Sequence, residues 1–262
     1  MKAGMKFMFG AAALIAAGTL AAQEQTFNTA ADWNKSAAVT DVDGLLNVKN
    51  RAMLSGKKFT VDPSKTYTIK FSVRTQNAQD NDFSWVLGGF RVFDKNGREI
   101  SCIHVNPVAG TLTEVAADAA KGATVIQLKD ASKFRNRSAG LVADAKEDFS
   151  DLPNRNLIGS IKEFKKNGEV WDVTLVKPLA KDIKAGTAVR EHAFGGYLYT
   201  AGAKNVKGDW VTMTGTIKGM SEKGWSSRVW PVGTVSAQFI ILVNWKNKQL
   251  DTQFKDVTFT VK

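Results

Sequence analysis

Apolar and polar residues alternate along much of this chain. In YTIKFSVRT, Tyr67, Ile69, Phe71 and Val73 share one face while Thr68, Lys70, Ser72 and Arg74 share the other. VSAQFIILVNW repeats the pattern with Val235, Ala237, Phe239, Ile241, Val243 and Trp245, and DWVTMTGTIKG with Val211, Met213 and Ile217. KDVTFTVK sets Val257, Phe259 and Val261 against Thr258, Thr260 and Lys262. A period of two places one side of each strand on a core and the other in water, as in antiparallel sheets. Lys95-Asn96-Gly97 supplies a hairpin turn, because Asn and Gly tolerate positive φ. Helical spacing is scarce; only TEVAADAAKG holds a turn or two. The pattern predicts an all-β sandwich.

The long strands are interrupted. Glu99–Val105 (EISCIHV) alternates as a further strand, which Pro107 and Gly110 break. Across 106–193 the strands shorten and the turns come closer together, with Lys166-Asn167-Gly168 as a hairpin. Long-strand chemistry resumes at Gly195–Thr200 and again at Asp209. A tail domain would show no such return, so a small β-barrel of about five or six strands over 106–193 is expected inside a host formed by 23–105 and 194–262. An inserted unit leaves and rejoins its host at nearby points. This predicts that His104 and His192, the only two histidines, are neighbours. Two imidazoles there could hold a metal or exchange protons, or simply cap strand ends.

Composition narrows the setting. Lys2 and Lys6, the apolar run FMFGAAALIAAGTLAA and the small residues before Gln23 form a secretory signal peptide over 1–22, too short for a membrane span. A secreted or periplasmic protein with no membrane span is expected. The single Cys102 allows no intrachain disulfide, so stability must come from packing. The formal net charge of +11 falls by two, to +9, with the leader's lysines. The interrupting segment is close to neutral, with 14 basic and 12 acidic residues, so the excess lies in the host. A positive field favours anionic partners such as acidic polysaccharide. Nucleic acid is not expected, since no basic run alternates with aromatics.

Three host segments resemble carbohydrate-binding modules of the family 4/9 type: VDPSKTYTIKFSVRTQ, GDWVTMTGTIKG and the closing FKDVTFTVK. The resemblance implies a β-jelly roll. The segment AADAAKGATVIQLKDASKF…VTLVKPLAKDIKAGTAV is similar to small barrels appended to surface and phage-tail proteins. In the resembled modules exposed aromatic rings stack on sugar, removing the apolar C–H face of a pyranose from water. Of the 7 tryptophans here, Trp225 and Trp230 stand in the loop MSEKGWSSRVWPVGT with Arg228 between them. Trp85, Tyr197 and Tyr199 complete the expected ligand-binding set. The resemblance also implies a structural calcium ion near the termini, held by a closing-strand carboxylate that Asp256 matches, with Lys255 in place of the family's second acid; Asp251 and Asp32 or Asn34 are the candidate further ligands.

The loop AKEDFSDLPNRNL concentrates Glu147, Asp148, Asp151 and Arg155 with Asn154 and Asn156, and reads as Asx side chains capping their own turns. The functional expectation is a secreted, noncatalytic protein that binds polysaccharide or a cell-surface glycan. The alternatives are a polysaccharide lyase or glycoside hydrolase on the same scaffold, with His104, His192 and Tyr197 or Tyr199 as acid and base, and a surface assembly subunit.

Overall fold

The computed structural model describes residues 23–34, 39–79, 83–135, 138–247 and 249–262. The leader expected over 1–22 lies outside them. Among the described residues no helix is long and apolar enough to cross a membrane.

The chain is all-β. Its strands are β1 (Gln23–Thr26), β2 (Val39–Val42), β3 (Leu45–Lys49), β4 (Ala52–Thr60), β5 (Tyr67–Thr75) and β6 (Ser84–Phe93), then a single helical turn α1 (Cys102–Val105). There follow β7 (Thr113–Glu114), β8 (Val125–Leu128), β9 (Ala139–Ala143), β10 (Leu157–Asn167), β11 (Val170–Leu175) and β12 (Ala188–Ala193). The last four are β13 (Leu198–Val206), β14 (Val211–Ile217), β15 (Ser236–Val243) and β16 (Asp251–Val261).

Two sheets form a sandwich. One runs β14-β5-β16-β3-β2 with β1 alongside β16; the other runs β13-β6-β15-β4. The alternation fixes which side meets the core: Ile69, Phe71 and Val73 of β5 are fully buried, as are Phe239, Ile241 and Val243 of β15 to within 1% exposure. Aromatic rings fill the space between the sheets, with Trp230 at 4.9 Å from Phe90 and 5.2 Å from Tyr67. The period-two reading misses one thing. Ile240 and Leu242, on the opposite face of β15, are buried as well. Val211 and Val235 instead stand exposed at strand margins.

β7 to β12 make a third sheet of their own, in the order β7-β12-β9-β10-β11-β8. Its two ends meet through a Val115–Leu128 bridge, with Ala116 N donating to Gln127 O at 2.8 Å and Lys129 N to Glu114 O at 2.9 Å. A separate apolar cluster built around Ile126, Leu128, Leu141, Val173 and Val189 lies under it. This sheet is interposed between β6 and β13, which are hydrogen-bonded neighbours in the sandwich. The chain thus leaves one strand and returns to its partner.

Two local expectations are corrected. Cys102–Val105 is helical rather than extended: the chain must turn off β6 here, and Ser101, a good N-cap residue type, opens the turn with its amide donating to His104 Nδ1 at 3.0 Å. Thr113–Gly122 forms no helix, because Ala116 and Ala119 donate their amides to Gln127 and Ile183; tertiary pairing overrides alanine's propensity.

Candidate functional site

The point of departure and return is a cleft. It encloses about 170 Å³ and is lined by Arg91 of β6, by Glu99 and Ser101 ahead of α1, by Gly195 and Tyr197 ahead of β13, and by Trp225 from the loop between β14 and β15. Both ends of the interposed segment therefore wall the same opening. Glycine is needed where they meet: a Cβ on Gly195 would stand 2.6 Å from Cys102 Sγ, and one on Gly196 3.0 Å from the Tyr199 ring.

The polar centre of the cleft is a two-donor pair. Arg91 offers Nε at 3.1 Å and Nη2 at 2.5 Å to Glu99 Oε2. The two donors fix that oxygen as an acceptor, and the bond to Glu99 raises the Arg91 pKa. The sequence signal for this pair is the hairpin itself, not the spacing of its two residues. The Asn96-Gly97 hairpin bridges Phe93 to Glu99, which places Arg91 diagonally across from Glu99.

Tyr197 and Tyr199 meet edge to face at 6.1 Å, both half-buried. Burial pushes the Tyr199 phenol up to about 12, so it stays protonated and cannot serve as a base near neutrality. Trp225 is half-buried, resting one side on the sandwich core. Of the expected ligand-binding set, the cleft unites Tyr197 and Trp225, with Tyr199 packed behind.

The remainder lie elsewhere. Trp230 is a correction: it is fully buried among Tyr67, Phe90 and Phe59 and presents no surface, because the loop folds back to pair Met220 with Trp230 and seats the ring in the aromatic cluster. Its amide donates to Gly219 O and its carbonyl accepts from Ser221, stitching the loop shut. Arg228 is exposed on that loop, outside the cleft. Trp85 shares the outward face of β6 with Arg91, but six residues along a strand put it about 20 Å away; Lys246 Nζ stands 5.0 Å from its ring centroid.

The histidines are brought to one junction and are not a metal pair. His192 is fully buried. Its Nδ1 lies 2.7 Å from Ile103 O, an acceptor, so Nδ1 carries the proton; Nε2 then accepts from Arg190 Nε at 3.1 Å. Neither nitrogen has a lone pair left for a cation or a substrate proton. Burial, above all, drives its pKa down to about 4. His104 Nδ1 accepts from the Ser101 amide, and burial followed by the nearby Arg155 lowers its pKa too. The junction is structural: Arg190, itself buried, also donates to Lys146 O and to Asp151 Oδ2 at 2.8 Å.

The expected calcium ligands are not assembled. Asp251 and Asp256 lie five residues apart on β16, about 16 Å along an extended strand, beyond the reach of one ion. Asp32 is engaged by the Thr29 amide and hydroxyl, and the Asn34 amide group donates to Gly56 O. Among the described residues no three His, Cys, Asp or Glu side chains gather as a metal site.

The acid-rich loop is partly self-capping, as Asp148 accepts from Ser150 N and Asn154 from Asn156 N. It also does more: Arg155 donates to Asp94 Oδ2 at 2.9 Å and to Glu99 O at 2.9 Å. Through Glu99 this loop braces the wall of the cleft. Cys102 is buried, and desolvation raises its thiol to about 11, so it behaves as a small apolar side chain.

The fold and cleft thus define an all-β sandwich with a third sheet interposed and an aromatic, polar-centred mouth at their junction. Comparison of the chain with protein-family models, with curated proteins and with solved structures gives no match.

Proposed function

We propose that this is an exported glycan-binding protein that holds a sugar unit in the junction cleft without transforming it. One observation carries this reading: half-exposed rings of Tyr197 and Trp225 line a small opening around a fixed Arg91–Glu99 pair. An indole and a phenol offer flat apolar surface to the C–H face of a pyranose. The free oxygen of Glu99 and the remaining Arg91 N–H groups supply acceptor and donors for hydroxyls. Leader-like residues before Gln23 support export, and the segments that resemble carbohydrate-binding modules support the ligand class.

The occupied nitrogens of His192 and the raised phenol of Tyr199 speak against the lyase or hydrolase alternative, since a general acid or base must reach the reacting proton. The test is affinity electrophoresis on a panel of neutral polysaccharides. At least one glycan retards the protein, and Trp225→Ala and Tyr197→Ala each weaken retardation about tenfold without lowering the melting temperature. No retardation by any glycan, or retardation unchanged in the double variant, overturns the reading. Release of shorter or unsaturated chains favours the enzyme, and a large stable oligomer in size-exclusion chromatography favours the assembly subunit.

A further inference from the structure

The outward face of the sheet opposite the cleft is a second surface with its own chemistry. Across β14, β5 and β16 the register sets Thr216, Thr68 and Thr260 in one row and Thr214, Lys70 and Thr258 in the next. Thr212, Ser72 and Lys255 form a third row, and Arg74 stands opposite Gln253 in a fourth. Hydroxyls are held in line by their neighbours: Ser72 Oγ is 2.9 Å from Thr212 Oγ1 and Thr68 Oγ1 3.4 Å from Thr216 Oγ1.

Three cations run diagonally through these rows. Lys255 lies across from Ser72, between Lys70 and Arg74 on the neighbouring strand, so consecutive charges step roughly 7–8 Å. The Trp210 ring gathers two of them, with Arg74 Cζ at 4.7 Å and Lys255 Nζ at 4.5 Å from its centroid. Arg74 is aimed further by its Nε–H donated to Gln253 Oε1 at 2.9 Å. Among the described residues none of the three is ion-paired. The acids closest by register are Asp251, diagonal to Arg74 on β16, Asp256, exposed in the β16 bulge, and Glu24, opposite Thr260.

We propose that this face binds an extended anionic polysaccharide, with sulfate or carboxylate groups meeting Lys70, Lys255 and Arg74 and sugar hydroxyls meeting the threonine rows. A periodic line of unpaired cations complements a periodic anionic polymer, and counterion release on contact drives binding. The flanking hydroxyls favour a polymer that is itself rich in hydroxyls over a lipid surface, which would want apolar side chains beside the lysines. This surface stands apart from the cleft and does not depend on it.

The test uses the full-length protein on immobilised heparin, with dextran as the uncharged control. Wild type is retained on heparin at moderate salt and passes through dextran. Lys70→Gln/Arg74→Gln/Lys255→Gln weakens heparin binding at least tenfold, and Lys70→Gln/Lys255→Gln, which spares the Arg74–Gln253 bond, shows most of that loss with an unchanged melting temperature. Lys162→Gln/Lys165→Gln/Lys166→Gln on β10 removes the same charge and leaves binding within about twofold. Equal losses in the two triple variants, or capture by phosphatidylserine vesicles in preference to heparin, overturn the proposal. Trp225→Ala keeps its heparin retention, so failure of the cleft reading and failure of this one are read separately.

Discussion

Arg155 and Asp94, one from the interposed segment and one from the hairpin of the sandwich, are joined by a 2.9 Å ion pair that leaves the carboxylate only 10% exposed. Asp94 accepts in addition from Arg98 Nε and from the Asn96 and Arg98 amides; desolvation opposes its ionisation, but the two amides and the Arg155 pairing prevail and hold its pKa below the ordinary carboxylate value. Arg155→Met removes the longer-range partner and leaves the local ones. A loss of about 1–3 kcal/mol in urea unfolding is expected, the range for a charged hydrogen bond in a partly buried setting. Because Arg155 also braces the Glu99 carbonyl, weaker glycan retardation should accompany it. Unaltered stability and retardation together would show that the contact is idle.

The more deeply buried pair is Arg190–Asp151, at 3% and 6% side-chain exposure. Asp151→Ala strands a guanidinium in a desolvated site, and the expected cost is about 3–5 kcal/mol. Replacing both partners by apolar residues, Arg190→Met with Asp151→Leu, should recover a substantial part of it. Denaturant midpoints for the single and double variants check this.

His192 gives the protein an acid limit. It is neutral in the fold with a pKa near 4, against an ordinary 6.5. Above about pH 6.5 neither state binds the proton and stability is complete; as pH falls towards 4 the unfolded chain takes up a proton that the fold refuses, and stability is lost. At about 1.4 kcal/mol for each pKa unit the loss is on the order of 3 kcal/mol. His192→Gln should flatten the dependence of the urea midpoint between neutral pH and about pH 4.5. An equally steep dependence in that variant would place the acid sensitivity elsewhere, with His104, shifted in the same direction, the first candidate.

The two loop tryptophans should separate cleanly. Trp230→Ala empties the centre of the aromatic cluster and costs about 3–5 kcal/mol. Trp225→Ala, removing a half-exposed ring, costs far less and acts on binding. Calorimetric melting set beside affinity electrophoresis distinguishes the two effects; similar melting losses in both would contradict the buried position of one and the exposed position of the other.

Gly195→Ala pushes a methyl against Cys102 Sγ, a buried atom with little room to yield. A destabilisation of about 1–3 kcal/mol follows from overpacking. Cys102→Ala in the same chain removes the clashing sulfur and should restore part of the loss, a coupling measurable by a double-mutant cycle.

Much of this architecture was legible because burial follows a period of two. Ile69, Phe71 and Val73 point inward for the reason their spacing suggests, and the Asn96-Gly97 and Asn167-Gly168 turns carry the residues that positive φ favours. The same rule misleads where an apolar residue faces outward yet is covered, as with Ile240, or where a loop folds back into the core, as with Trp230. Loop composition indicates surface on average but says nothing about the path of a particular return leg. The meeting of His104 and His192 followed from topology; the hydrogen bonds that occupy both His192 nitrogens depend on Ile103 and Arg190, whose placement no spacing reveals. The pairing of Arg91 with Glu99 is not visible in their spacing, because it emerges only when the hairpin is closed and its diagonal counted.

A strand pair parted by a whole additional sheet has a consequence for how this molecule can vary. The walls of its mouth are also the hinges of the excursion, with Glu99 on the outgoing side and Tyr197 on the incoming one. Excising the excursion and ligating its two stumps would leave a shorter sandwich whose cleft had lost its frame. Lineages that kept the cleft would then be obliged to keep the passenger, whatever its sequence drifted to become.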